Sequence, residues 1–170
     1  MVSNWNKCVA KKGDIVYCVG DIIFARATKS YEILNRLNAP IALIKGNHDR
    51  GIESAKNRFI WIKDYYKLKV KDKDATGGVR QVVLFHYALR VWDASHYSSW
   101  SLWAHSHGTL EELPNSLSLD VGVDATAARL AKENNTSILP EYYRPVSYDE
   151  VKKWMATKIF KSIDHHDNLE

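Results

Sequence analysis

Ile41-Ala42-Leu43-Ile44-Lys45-Gly46-Asn47-His48-Asp49 passes within nine positions from a wholly apolar run to a cluster of ligand-type side chains. The apolar part is too short for a helix, and Pro40 and Gly46 punctuate it at either end, so residues 41–44 read as a short buried strand. Gly46-Asn47-His48-Asp49 then falls just past the strand's carboxyl end, the edge where ligands of open α/β sheets gather. The same arrangement recurs before and after it. Gly20-Asp21 follows the apolar residues 15–19, His86 follows Val82-Val83-Leu84-Phe85, and His105-Ser106-His107-Gly108 follows Leu102-Trp103-Ala104.

The remaining pattern supplies the frame. Residues 14–19 read as a strand introduced by a turn at Lys12-Gly13. Residues 29–38 place Ile33, Leu34 and Leu37 at helical spacing until Pro40 closes the segment. Residues 68–71 and 81–85 flank Gly77-Gly78 as a hairpin, and 101–104 and 117–121 are further short strands. Ser147 with Glu150 makes a capping box that opens a helix to about Phe160. Helices and strands alternate early and strands dominate later, which predicts an α/β domain layered on mixed sheets. Residues 1–163 form that single domain, and 164–170 are a polar tail containing His165, His166 and Asp167.

Composition narrows the function. The chain has 170 residues, 45% hydrophobic, enough for one core. No apolar run approaches the roughly 18–20 residues of a membrane span, and residues 1–6 lack the basic-then-apolar pattern of a leader, so a cytoplasmic location is expected. Two cysteines make no disulfide scaffold, and Cys18, inside an apolar run, reads as a buried free thiol. The net charge of +4 favours anionic partners. Lys67-Leu68-Lys69-Val70-Lys71 alternates like a strand with one solvated face and offers no concentrated basic groove, so a small ester is favoured over polymeric nucleic acid. Trp92, Trp100, Trp103, Tyr87 and Tyr97 either stack on a base or belong to the core.

Singly, the strand-end residues have ordinary readings: a capping Asp, a satisfied buried His, a turn at Asn47-His48-Asp49. Jointly they do not. One carboxylate, one amide oxygen and three imidazoles make a mixed oxygen and nitrogen set suited to Mn, Fe, Zn or Ni rather than Ca or Mg. Two such ions sharing a carboxylate would activate water and clamp a phosphoryl group.

The ordered series Gly20-Asp21, Gly46-Asn47-His48-Asp49, His86, His105-Ser106-His107 resembles the motifs of the calcineurin-like metallophosphoesterases. With Asn4-Trp5-Asn6, His86-Tyr87-Ala88-Leu89 and Pro145-Val146-Ser147, it looks like a small single-domain branch found in bacteria and their phages. The resemblance implies a layered α/β/β/α sandwich with mixed sheets. It implies hydrolysis of phosphodiesters, and of monoesters, by a water that the metal activates. It makes Asp21 a bridging ligand, Asn47, His86 and His105 ligands of the second metal, and His107 a ligand of the first. His48 would stand near the leaving group, with Asp49 orienting it, and Arg50 and Arg90 would contact phosphate unless they are ordinary surface cations.

Three departures qualify the match. The family opens with a strand ending in Asp-x-His, and no such motif precedes Asp21; Asp14 lies before its strand, at the wrong edge. Phe24 stands three residues after Asp21, where the family carries its orienting Asp, and Ala104 stands where it has Gly. The expected state is therefore one firmly bound ion, most simply Mn, with a second weak or absent. The missing strand would leave a sheet edge for a second copy to cover. A partner chain or the tail residues His165, His166 and Asp167 would be alternative sources of ligands. The competing reading is a truncated or vestigial homologue that binds metal with little turnover.

Overall fold

In the computed structural model, residues 1–9, 13–25, 27–161 and 163 are described. Two sheets form the frame. The first, wholly parallel, runs β1 (Val16–Cys18), β2 (Ile41–Ile44), β3 (Phe59–Lys63) in that order. The second is mixed: β4 (Tyr65–Lys71) pairs antiparallel with β5 (Val79–Phe85), which continues in parallel to β6 (Trp100–Trp103) and β7 (Ser118–Asp120). Helices α1 (Val2–Cys8), α2 (Ala27–Leu34), α3 (Val123–Glu133) and α4 (Tyr148–Met155) accompany them.

Strand β2 explains why the apolar run at 41–44 is unbroken. All four residues are buried, because both faces of the strand are covered. Ile41 and Leu43 pack with Leu34 of α2 and with Ile52 and Ala55 of a 3₁₀ segment, Asp49–Arg58. Ile44 instead joins a larger cluster with Val82 and Leu84 of β5, Trp100 of β6 and Leu119 of β7. Leu130 of α3 and Val151, Trp154 and Met155 of α4 complete that cluster. The sheets meet through Trp61 of β3, whose ring lies 6.2 Å from Tyr17 of β1 and 4.5 Å from Tyr66 of β4. The expected layered α/β architecture is present, with one sheet parallel and the other mixed.

The hairpin around Gly77-Gly78 forms as expected, and β4 alternates exposed Lys67, Lys69 and Lys71 with half-buried Leu68 and Val70. The capping box is also present: Ser147 Oγ accepts from the Glu150 N–H at 3.2 Å, and Glu150 Oε2 accepts from the Ser147 N–H at 2.8 Å. That helix ends at Met155 rather than near Phe160. Likewise α2 ends at Leu34, where the Asn35 N–H makes a last i−4 bond to Tyr31 and the turn tightens to i−3 bonds from the Arg36 and Leu37 N–H groups. Cys8 and Cys18 are both free, and burial pushes the Cys18 thiol up to about 12, so it stays protonated. No helix among the described residues is long and apolar enough to cross a membrane. The tail with His165, His166 and Asp167 lies outside the described residues.

Candidate metal centre

Parallel strands β1 and β2 of one sheet, and β5 and β6 of the other, deliver the four motif segments at their carboxyl ends. Asp21, His86 and His105 offer ligand atoms that all lie within 4.8 Å of one another. Two glycines make the approach possible. Gly20 has φ +92°, and a Cβ there would overlap the His86 ring. A Cβ at Gly46 would overlap the Asp21 carboxylate. Asp21 itself is left-handed at φ 51°, as are His105 at 65° and His107 at 50°. Such conformations are uncommon for residues with a Cβ and cost on the order of 1–3 kcal/mol each, and they gather at functional sites.

His86 carries the chemical argument. It is 1% exposed, with Nδ1 2.9 Å from the Val19 carbonyl oxygen. A carbonyl can only accept, so Nδ1 bears the proton, and in the neutral ring Nε2 is left with a bare lone pair. That nitrogen faces two more acceptors, Asn47 Oδ1 at 3.0 Å and Asp21 Oδ2 at 3.4 Å. Three lone-pair atoms thus converge on one point together with His105. A cation placed among them would meet all of these atoms, and the mixed donor set matches a borderline divalent cation.

The His105–His107 loop is held from behind. Asp120, fully buried at the end of β7, accepts from the Gly108 N–H at 3.2 Å and the Gly122 N–H at 2.8 Å. Burial raises the Asp120 carboxyl above its ordinary value, against the pull of those two amides. Its own N–H donates to Glu112 Oε1 at 2.9 Å, and Glu112 also receives Arg129 and Lys158. His107 stands apart from the three-residue cluster, 61% exposed in its side chain, with Nδ1 bonded to Asp124 Oδ2 at 2.6 Å. Ala104 has no positive φ, so alanine is accommodated where a glycine was expected.

The family model for calcineurin-like phosphoesterases matches residues 2–157. The chain belongs to that family. It is similar to the uncharacterized protein MJ1445 of Methanocaldococcus jannaschii, 30% identical over 168 residues, which span 96% of this chain and 78% of that one. It is also similar in fold to the crystal structure of a protein of unknown function, AQ665, from Aquifex aeolicus: TM-score 0.55, 19% identity, 90% of this chain and 82% of that chain. Metal-dependent hydrolysis of phosphoesters is the chemistry of this calcineurin-like family, and the Asp21, His86, His105 cluster is a ligand set of the kind such chemistry uses.

Within this calcineurin-like frame His48 is exposed, and its N–H donates to Asp21 Oδ1 at 2.8 Å, which ties the histidine to the candidate cluster. No hydrogen bond to its ring is present among the described residues; the ring instead rests on Phe24, centroids 5.0 Å apart. Asp49 does not take the expected orienting role. It is 1% exposed, and its oxygens accept from the backbone N–H groups of Asp21 and Gly46, both at 2.8 Å, and of Ile22 at 3.0 Å. Burial raises its carboxyl above the ordinary 3.8 while these amides pull it down. Asp49 is thus the knot between the first two motif loops, and His48 is oriented by its own backbone and by Phe24.

Arg50 is exposed beside His48. Arg90 lines a separate cleft of about 240 Å³ with Trp92, Leu113, Pro114 and Phe160, none of them a ligand candidate. Trp100 and Trp103 are buried, so of the aromatics between the third and fourth motifs these two belong to the core. Asp120, Asp124 and Glu112 escaped the sequence reading. The signal available was an Asp closing an apolar strand two residues before Gly122, followed by Asp124.

Proposed function

We propose that this chain is a metal-dependent phosphoesterase hydrolysing small phosphodiesters, and monoesters, with His48 acting beside the leaving group. The carrying observation is the convergence of ligand atoms from Asp21, His86 and His105 within 4.8 Å of one another, with Asn47 Oδ1 3.0 Å from His86 Nε2. These four residues would hold one divalent cation firmly, Mn first and Fe, Zn or Ni as alternatives, while His107 serves a second, weaker site. When bound, the ion would supply a Lewis acid that acidifies water and neutralises phosphoryl charge. The chain's own residues do the rest. Asp21 fixes the position of His48 through the backbone N–H. The exposed His48 ring is free to protonate the leaving oxygen or to hydrogen-bond a phosphoryl oxygen. Arg50, next in sequence, would draw the anionic ester to the site.

Two properties outside the site complete the proposal. Residues 1–163 would act as one cytoplasmic domain. β1, which pairs only with β2 among the described residues, would offer its outer edge to a second copy.

The test is elemental analysis of the purified protein together with hydrolysis of bis-p-nitrophenyl phosphate under added Mn. One ion per chain, with turnover that His48→Ala removes, supports the reading. The second reading, a metal-binding module with little turnover, draws on the absence of any hydrogen-bonding partner to the His48 ring among the described residues. One tightly bound ion and no hydrolysis at any Mn concentration would select it.

A further inference from the structure

Two exposed aromatic rings border the metal centre. Phe24 is 66% exposed and packs on the ring of His48 at 5.0 Å, tilted by 44°. Tyr87, 40% exposed, lies edge-on to His86 at 4.9 Å and to His105 at 4.6 Å. Neither ring joins either core cluster. For Phe24 that is informative, because its immediate predecessors Ile22 and Ile23 both turn into the smaller cluster. Burial was within reach of this segment, and Phe24 stands in water instead. What singles this ring out is its place: it lies against His48 beside the ligand cluster and presents an apolar face there to whatever enters the site.

The two rings differ in what they touch. Tyr87 contacts ligand histidines, so it bounds the metal side. Phe24 contacts His48, the residue assigned to the leaving group, so it bounds the leaving-group side. We infer that Phe24 is a stacking platform for a planar aromatic group carried on the leaving alcohol of the ester. This deepens the phosphoesterase reading and rests on it for the assignment of sides. An alkyl leaving group would gain only the apolar contact it makes with Phe24. A planar ring gains that contact plus the offset or edge-to-face attraction that aromatic pairs show. The shared chemistry is a flat π-system, whether of an aryl alcohol or of a nucleobase.

The test uses the full chain with added Mn and two matched pairs of esters. Methyl 2-naphthyl phosphate is compared with methyl phenyl phosphate, whose leaving alcohols are similar in acidity but differ by one fused ring. Adenosine 5′-(methyl phosphate) is compared with ribose 5-(methyl phosphate), which lacks the base. The wild-type protein should prefer the larger π-system in at least one pair by roughly three- to tenfold in kcat/KM, the weight of one aromatic stack. Phe24→Ala and Phe24→Leu should bring that ratio to about one, and Phe24→Trp should keep it. The pair that responds identifies the source, aryl or nucleobase. A ratio that is the same in wild type and Phe24→Ala overturns the platform without bearing on the phosphoesterase reading, whatever happens to the absolute rates.

Binding of 2-naphthyl methylphosphonate, read by the anisotropy of the naphthyl group, covers the case without turnover. If no ester is hydrolysed but this probe binds wild type several-fold tighter than Phe24→Ala, the hydrolytic reading falls and the platform stands. Equal binding to both proteins overturns it.

Discussion

The Val19 carbonyl oxygen, at the end of β1 in one sheet, lies 2.9 Å from Nδ1 of His86, at the end of β5 in the other. A backbone group of the first motif strand thereby sets the tautomer of the third motif's candidate ligand. This bond exists only because Gly20, the next residue, lets the imidazole approach. Gly20→Ala should destabilise the fold by about 2–4 kcal/mol, combining left-handed strain with overpacking against the ring. It should also lower metal content. Gly13→Ala is the control: it shares a positive φ, at +102°, but has open space around it, so only the strain of about 1–2 kcal/mol should appear. Urea unfolding and elemental analysis of both variants check this.

His48 is exposed and its ring is no part of the ligand cluster, so it can be removed without disturbing the ion. His48→Ala should retain wild-type metal content and stability while kcat falls by about 10²–10⁴, the range for loss of a positioned acid. Steady-state kinetics beside elemental analysis separates this from general damage. A drop in metal content equal to the drop in rate would count against the assignment.

Much of this arrangement is legible in the sequence. The unbroken run at 41–44 signalled a doubly covered strand, and alternation in 67–71 signalled a half-solvated one, because burial writes itself directly into side-chain chemistry. The residues of the candidate cluster were legible because each follows such a strand. What escaped has physical reasons. α3, Val-Asp-Ala-Thr-Ala-Ala-Arg-Leu-Ala-Lys-Glu, buries mostly alanine and threonine, which give a faint periodic signal. β3 runs almost directly into β4, with only Asp64 between them and no Gly or Pro to punctuate the boundary. Asp49 misled because proximity in sequence to His48 says nothing of where its oxygens go; they turn away to backbone amides that only the fold brings together.

Those three amides make Asp49 a test of loop architecture. Asp49→Ala leaves the N–H groups of Asp21, Ile22 and Gly46 without acceptors in a buried site, and should cost about 3–5 kcal/mol. Asp49→Asn keeps one acceptor oxygen and should fall between that variant and wild type. Urea midpoints rank the three proteins. If Asp49→Ala changed kcat alone, with unaltered stability, a catalytic role would have to be restored.

Asp124 predicts a different phenotype. Its 2.6 Å bond to His107 Nδ1 fixes which nitrogen of that ring remains free for a cation. Asp124→Ala should leave the tightly held ion in place, since Asp21, His86 and His105 are untouched. The Mn concentration needed for full activity should rise about 10–100-fold, as for loss of other partners that orient a ligand. A Mn titration of activity, run beside the metal content of dialysed protein, reads both quantities.

Far from the site, Asp72 joins the β4–β5 hairpin to α4. Its Oδ1 accepts from Lys152 Nζ at 2.5 Å and its Oδ2 from the Tyr148 hydroxyl at 2.7 Å. The Lys152 bond first, and the Tyr148 bond second, lower its carboxyl from 3.8 to about 2. The sign follows from linkage: a carboxylate depressed by folding contributes stability above its unfolded value, and that contribution is lost as pH falls through the folded value. Wild type should therefore lose stability between pH 3.8 and about 2 from this group, and Asp72→Asn should lose less over the same interval because it has no proton to gain. Urea midpoints across that window, measured for both proteins, give the comparison; parallel curves would mean that the Asp72–Lys152 pair contributes nothing to the acid sensitivity of the fold.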